Sequence, residues 1–224
     1  ALLCEGRTYM IGLLKKEYYL MEGQMKSWLI VAVFCFFYSY FMNADSFLFM
    51  LIILIGIMST MTVFSLDKAC GWDTYAISLP LTRKEIVEAR YLFAFLIDIG
   101  VSLACCLLML LRGLMNGGVN IPESLHSLFQ ILLVTILMQL LLFPVIYKLG
   151  VEKARFVYMA VFICLSLGVL GLSQLDDNGA VLAGIRINAE KIMQYGEAAA
   201  VILAVAGLFL SLWLSVHIYE KQEF

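Results

Sequence analysis

The sequence predicts an all-α, polytopic membrane protein with six transmembrane helices, and three observations carry that prediction. Of its 224 residues, 63% are hydrophobic and 14% charged, whereas an ordinary soluble domain is about 45–50% apolar. The apolar residues gather into six runs, each near the ~20 residues that a helix needs to cross a bilayer core. Lys and Arg are unevenly shared between the segments that join those runs, as membrane topology requires. The mean hydropathy of +0.95 agrees. A formal net charge of −2 and the lack of a basic run exclude a nucleic-acid footprint.

The first element is amphipathic. Ile11, Leu14, Tyr18, Met21, Met25 and Trp28 recur at steps of three and four, which puts them on one helical face, while Lys15, Lys16, Glu22, Gln24 and Lys26 occupy others. Residues 1–26 are therefore expected to form an interfacial helix lying in the headgroup layer. It serves either as an anchor before the first span or as a docking element for a partner. The text from Met10 reads like a natural start, so residues 1–9 are expected to be an extension. No cleavable signal peptide is expected, because the first apolar run follows charged residues and no small-residue cleavage pattern comes after it.

The six spans are placed at Ser27–Met42, Ser46–Leu66, Tyr91–Leu111, Leu125–Tyr147, Phe156–Leu172 and Ala198–Val216, within a membrane domain of residues 27–218 followed by a tail of 219–224. With the N-terminus inside, twelve Lys and Arg fall on the inner side and three, Arg112, Arg186 and Lys191, on the outer. Cytoplasmic loops carry the Lys/Arg excess. Both termini and residues 67–90 are thus assigned to the cytoplasm, and residues 173–197 to the outside.

Residues 67–90 carry the densest local chemistry, in the stretch GWDTYAISLPLTRKEIVEARY. Gly71 can end the second span in the left-handed conformation. Asp73 can cap a new short helix, and Pro80 breaks it. Thr82 and Glu85 have the spacing of a capping box that starts the helix of the third span. Trp72, Tyr75 or Ala76, and Leu79 share a face and form an apolar ridge. That ridge rests either on headgroups or on a protein partner.

The string SLDKACGWDTYAISLPLTRKEIVEARY, Ser65 to Tyr91, resembles the segment after the second span in permeases of type-two ATP-binding-cassette exporters, especially small bacterial ones similar to those that export phenol-soluble modulins. The matching positions are Asp67, Gly71, Trp72, Asp73, Tyr75, Leu79, Pro80, Arg83, Ile86, Val87, Arg90 and Tyr91. The resemblance implies that residues 72–79 are a coupling helix docked on a cassette ATPase, with Asp67, Trp72, Asp73, Tyr75, Leu79 and Arg83 as coupling residues and the N-terminal segment as a connecting helix. It also implies a bacterial cell membrane and a second permease, as another copy or a paralogue. No G-x-x-x-x-G-K-[ST] loop occurs in the sequence. ATP and Mg are accordingly expected on the partner subunit, this chain having no cofactor or metal site and no catalytic residues of its own.

Within the spans, Asp98 is the strongest functional candidate, since an ionised carboxylate at that depth is costly unless paired. Gln130 and Gln139 are the polar companions in the fourth span, and Asp98 with Gln139 marks a candidate substrate path, set against a plain structural hydrogen bond. Gly196, Ala200, Ala204 and Gly207, continued by Ser211 and Ser215, form a small-residue stripe expected to pack against another helix. Asp176 and Asp177 read as a turn or cap, and the six cysteines as apolar thiols. The cargo most consistent with spans rich in Phe, Met and Leu is an amphipathic or hydrophobic peptide. An ATP-independent transporter or channel built on Asp98 is the alternative. A membrane-embedded enzyme lacks a catalytic constellation.

Overall fold

The computed structural model describes residues 2–42, 46–76, 78–79, 81–116, 121–174 and 180–221, which form seven helices and no strand. These are α1 (Leu2–Met42), α2 (Ser46–Ala69), α3 (Trp72–Ala76), α4 (Arg83–Asn116), α5 (Ile121–Leu149), α6 (Val151–Gln174) and α7 (Ala180–Glu220). Five described segments are long and apolar enough to cross a membrane: Met10–Met42, Phe47–Ala69, Arg83–Leu114, Pro122–Leu149 and Ala199–Glu220. The protein is a multi-pass membrane protein. α6 is a further long helix, several of whose side chains lie outside the described residues, and the five are counted without it.

α1 runs through an expected boundary. The interfacial helix foreseen over 1–26 and the first span from Ser27 are one unbroken helix. Nothing in its sequence stops helical hydrogen bonding: it holds no proline, and isolated glycines such as Gly12 and Gly23 weaken a helix by about 1 kcal/mol each without ending it. At the other end of the chain, residues 180–197, within the segment assigned to the outside, run straight into the last span as α7. Asp176 and Asp177 lie outside the described residues.

Cross-links between helices fix their directions. Lys16 of α1 meets Asp67 near the end of α2, Arg83 at the start of α4 meets the end of α7, and Tyr147 near the end of α5 packs its ring 5.5 Å from that of Tyr219. The long helices therefore alternate in direction, and α3 sits at the end where these contacts gather.

α2 is the most enclosed of the five spans and α1 the least. At the α3 end, Phe64, Tyr91, Phe143, Tyr147 and Tyr219 form a buried aromatic core, with the rings of Tyr91 and Phe143 stacked at 4.0 Å. Towards the opposite end a second core joins Leu48, Leu51, Ile52, Ile55, Cys105, Met109 and Leu128. Large apolar side chains of α1 and α7, among them Phe34, Phe41, Phe209 and Trp213, face outward, as hydrocarbon or a neighbouring subunit allows.

One cross-helix bond follows from a proline. Pro144 sits inside α5 and lacks an N–H, so it cannot bond the carbonyl of Leu140 four residues earlier. Ser211 of α7 supplies the missing donor, its Oγ lying 2.5 Å from Leu140 O. Having spent its proton there, Ser211 accepts from Tyr91 OH at 2.6 Å, and Tyr91 in turn accepts from Ser215 at 2.8 Å. α4, α5 and α7 are thus stitched by one polar chain in an apolar interior.

Candidate functional site

α3 is built by local rules. Gly71 ends α2 with φ +64°, a region that glycine enters without steric penalty. Its carbonyl accepts from Tyr75 N at 3.4 Å and from Thr74 Oγ1 at 2.7 Å, which starts the next turn. Ser78 and Leu79 N–H groups bond back to Tyr75 and Ala76. The capping box then forms: Thr82 N–H donates to Glu85 Oε2 at 2.8 Å, and Glu85 N–H to Thr82 Oγ1 at 3.3 Å. The Asp73 side chain and Pro80 lie outside the described residues.

The apolar ridge faces inward, contrary to the picture of a ridge projecting towards a partner. Of the two choices left open by spacing, Ala76 joins Trp72 and Leu79: Ala76 is buried, while Trp72 and Leu79 are half-buried, with Trp72 packed on the aromatic core. Tyr75 stands at the outer edge of that face, its ring 5.7 Å from that of Trp72 and 59% of its surface exposed, beside exposed Thr74 and Ser78. A five-residue helix has too few contacts to choose its own orientation, so the larger apolar group turns to the core and the amphipathic tyrosine to water.

Beneath α3 lies a four-residue ionic cluster. Lys16 donates to Glu17 Oε1 at 3.2 Å and to Asp67 Oδ1, and its ammonium stands 4.2 Å from the centre of the Trp72 ring. Arg90 Nη2 donates to Asp67 Oδ2 at 2.8 Å, and its guanidinium lies 4.5 Å over the Phe64 ring and 5.8 Å from that of Tyr147. Glu17, Asp67 and Arg90 are buried. Two cations and two carboxylates neutralise one another, which is the condition for keeping charge out of water. Asp67 and Arg90 were legible as motif positions. Lys16 and Glu17 were not, because periodicity assigned Lys16 to a polar face; the signal was a carboxylate adjoining two lysines on an otherwise apolar segment.

Arg83 ties this end to the last helix. Its Nη1 lies 2.8 Å from Tyr219 O and 2.7 Å from Glu220 O, so it satisfies carbonyls left open at a helix C-terminus. α3 is therefore connected to α1 through Trp72 and Lys16, and the helix that follows it to α7 through Arg83. Displacement of α3 would be felt in several helices at once. No group of three or more metal-ligating side chains occurs among the described residues.

Asp98 and Gln139 meet at the middle of the bundle, both fully buried. Gln139 Nε2 donates to Asp98 Oδ1 at 3.0 Å and to Gly56 O at 2.9 Å, joining α4, α5 and α2. In α7, Gly207 faces Leu140, with 3.6 Å between that side chain and a notional Cβ, and Ala200 and Ala204 are half-buried. The surroundings of Gly196 lie outside the described residues.

A family model described as "ABC-2 family transporter protein" matches residues 12–220. That range contains the ionic cluster, α3 and both ends of the bundle. No curated protein and no solved structure gives a significant match to the chain.

Proposed function

We propose that this chain, which belongs to the ABC-2 transporter family, is the six-span permease of an ATP-driven exporter and that α3 is its coupling helix. Membership makes it a membrane permease subunit that works with an ATPase subunit. The observation that carries the finer reading is α3 itself, rooted in the bundle by Trp72 and Ala76 while Thr74, Tyr75 and Ser78 are left exposed. Tyr75 is then the anchor that enters a groove on the ATPase, Trp72 the hinge plate that receives the push, and Lys16, Asp67 and Arg90 the struts that pass it on. ATP and Mg are held by that partner. Closure of its dimer moves α3, and two permeases, identical or paralogous, repack to open a path outward. Asp73, Leu79 and Arg83 keep the supporting roles that the family resemblance gives them.

The cargo fits an amphipathic or hydrophobic peptide taken from a bacterial cell membrane, because the spans offer adaptable Phe, Met and Leu surface and few fixed charges. The test uses the complete transporter. Tyr75→Ala should weaken co-purification of the ATPase at least tenfold, as a loss of about 2 kcal/mol at an interface hot spot would, while the permease alone keeps its thermal stability. Unchanged assembly with coupled transport intact would overturn the assignment of α3. Peptide accumulation in cells lacking the gene tests the cargo separately.

A further inference from the structure

Gln139 has two amide protons and both are placed, one on Gly56 O at 2.9 Å and one on Asp98 Oδ1 at 3.0 Å. Two buried oxygens then lack any donor: Asp98 Oδ2 and Gln139 Oε1. Both residues are 0% exposed. Two orphaned acceptors on one hydrogen-bonded pair, deep in an apolar bundle, are costly as they stand.

We propose that Asp98 and Gln139 form a proton-binding site at the centre of the bundle, in which a proton on Asp98 Oδ2 is donated to Gln139 Oε1. The reaction is the addition of one proton to one carboxylate, with no other bond made or broken. It turns the pair into a closed acid–amide ring: Gln139 N–H to Oδ1 in one direction, Asp98 O–H to Oε1 in the other. Every donor and acceptor of the two side chains is then used, and no net charge remains in the interior.

The pair packs tightly against α2: a Cβ added at Gly56 would lie 2.5 Å from Asp98 Oδ1, 2.8 Å from Thr135 Cγ2 and 3.2 Å from Gln139 Nε2. At Gly56 the neighbours that meet the pair are uncharged: α2 presents the glycine itself, and α5 presents Thr135 beside Gln139. Arg90 on α4 is two turns away and engaged with Asp67. A cavity of about 10 Å³, lined by Ser59, Thr60, Arg90 and Ala94 among others, lies towards the α3 end. It has room for about one water. Ser59 and Thr60 hydroxyls donate to the same Gly56 carbonyl that accepts from Gln139, at 2.7 and 3.2 Å. Asp98 consequently offers no negative charge to a cationic cargo, and its work is to hold α2, α4 and α5 together.

Infrared difference spectroscopy on the purified chain at neutral pH tests this independently of transport. Asp98→Asn should remove a carboxylic-acid carbonyl band that shifts in heavy water, and Gln139→Leu should move that band to higher frequency by releasing its hydrogen bond. Loss of carboxylate bands alone in Asp98→Asn, or an acid band that Gln139→Leu leaves unmoved, would overturn the proposal. Asp98→Asn can keep the ring through its own amide, so its melting temperature should stay near that of the wild type, whereas Asp98→Leu should lower it. Equal loss of stability in both variants would count against the ring.

Discussion

At the scale of single residues, the buried charges are the least forgiving feature of the molecule. Asp67 is shared by two cations, through Oδ1 with Lys16 and through Oδ2 with Arg90. Removing the carboxylate takes from Arg90, buried against Phe64, its 2.8 Å partner and leaves it only the longer 3.9 Å contact with Glu17 among the ion pairs of the cluster. Breaking one partner of a buried pair costs about 3–5 kcal/mol, whereas replacing both by apolar groups is often close to neutral. Asp67→Leu should therefore lower the unfolding temperature in detergent strongly, and Asp67→Leu with Arg90→Leu should recover part of the loss. If the double variant is no better than the sum of the singles, the pair is not the stabilising unit. Sequence reading reached Gly71 and the Thr82–Glu85 box because those devices act within four residues of themselves. It could not reach a cluster assembled from positions 16, 17, 67 and 90, since nothing local to Lys16 says that the end of α2 returns to it.

At the scale of elements, faces are legible but their targets are not. Spacing grouped Trp72 and Leu79 on one side of α3 and left Tyr75 and Ala76 as alternatives; the core alone decides which side turns inward. The continuity of α1 was hidden for a related reason: a change from amphipathic to uniformly apolar composition looks like a boundary, although the backbone has no reason to stop there. α5 shows the reverse, an evident breaker that breaks nothing. Pro144 frees Leu140 O, and Ser211 answers it from α7. Ser211→Ala should cost about 1–3 kcal/mol by orphaning that carbonyl. In a Pro144→Ala background, where the helix regains its own N–H, the same substitution should cost clearly less. Equal costs in both backgrounds, measured by thermal unfolding, would show that the proline and the serine act independently.

For the whole molecule, the alternation of helices and the distribution of charge point the same way. The middle of α1, the ends of α2, α5 and α7, and the start of α4 gather at one end, and that end carries most of the Lys and Arg. An even number of crossings is required for α1 to enter and α7 to finish on one side. In the six-span reading proposed above α6 crosses as well, which puts the start of α1 and the end of α7 on one side. Placing the Lys/Arg-rich end in the cytoplasm makes α3 accessible to an ATPase and Glu123, at the exposed start of α5, accessible from outside. Single cysteines at Thr74, Glu220 and Glu123, introduced after replacing the native thiols, test all of this at once. A membrane-impermeant maleimide applied to intact cells should label Glu123→Cys and spare the other two until the cells are opened. Labelling of Thr74→Cys from outside would put α3 beyond the reach of ATP, and no coupling role could then be retained for it.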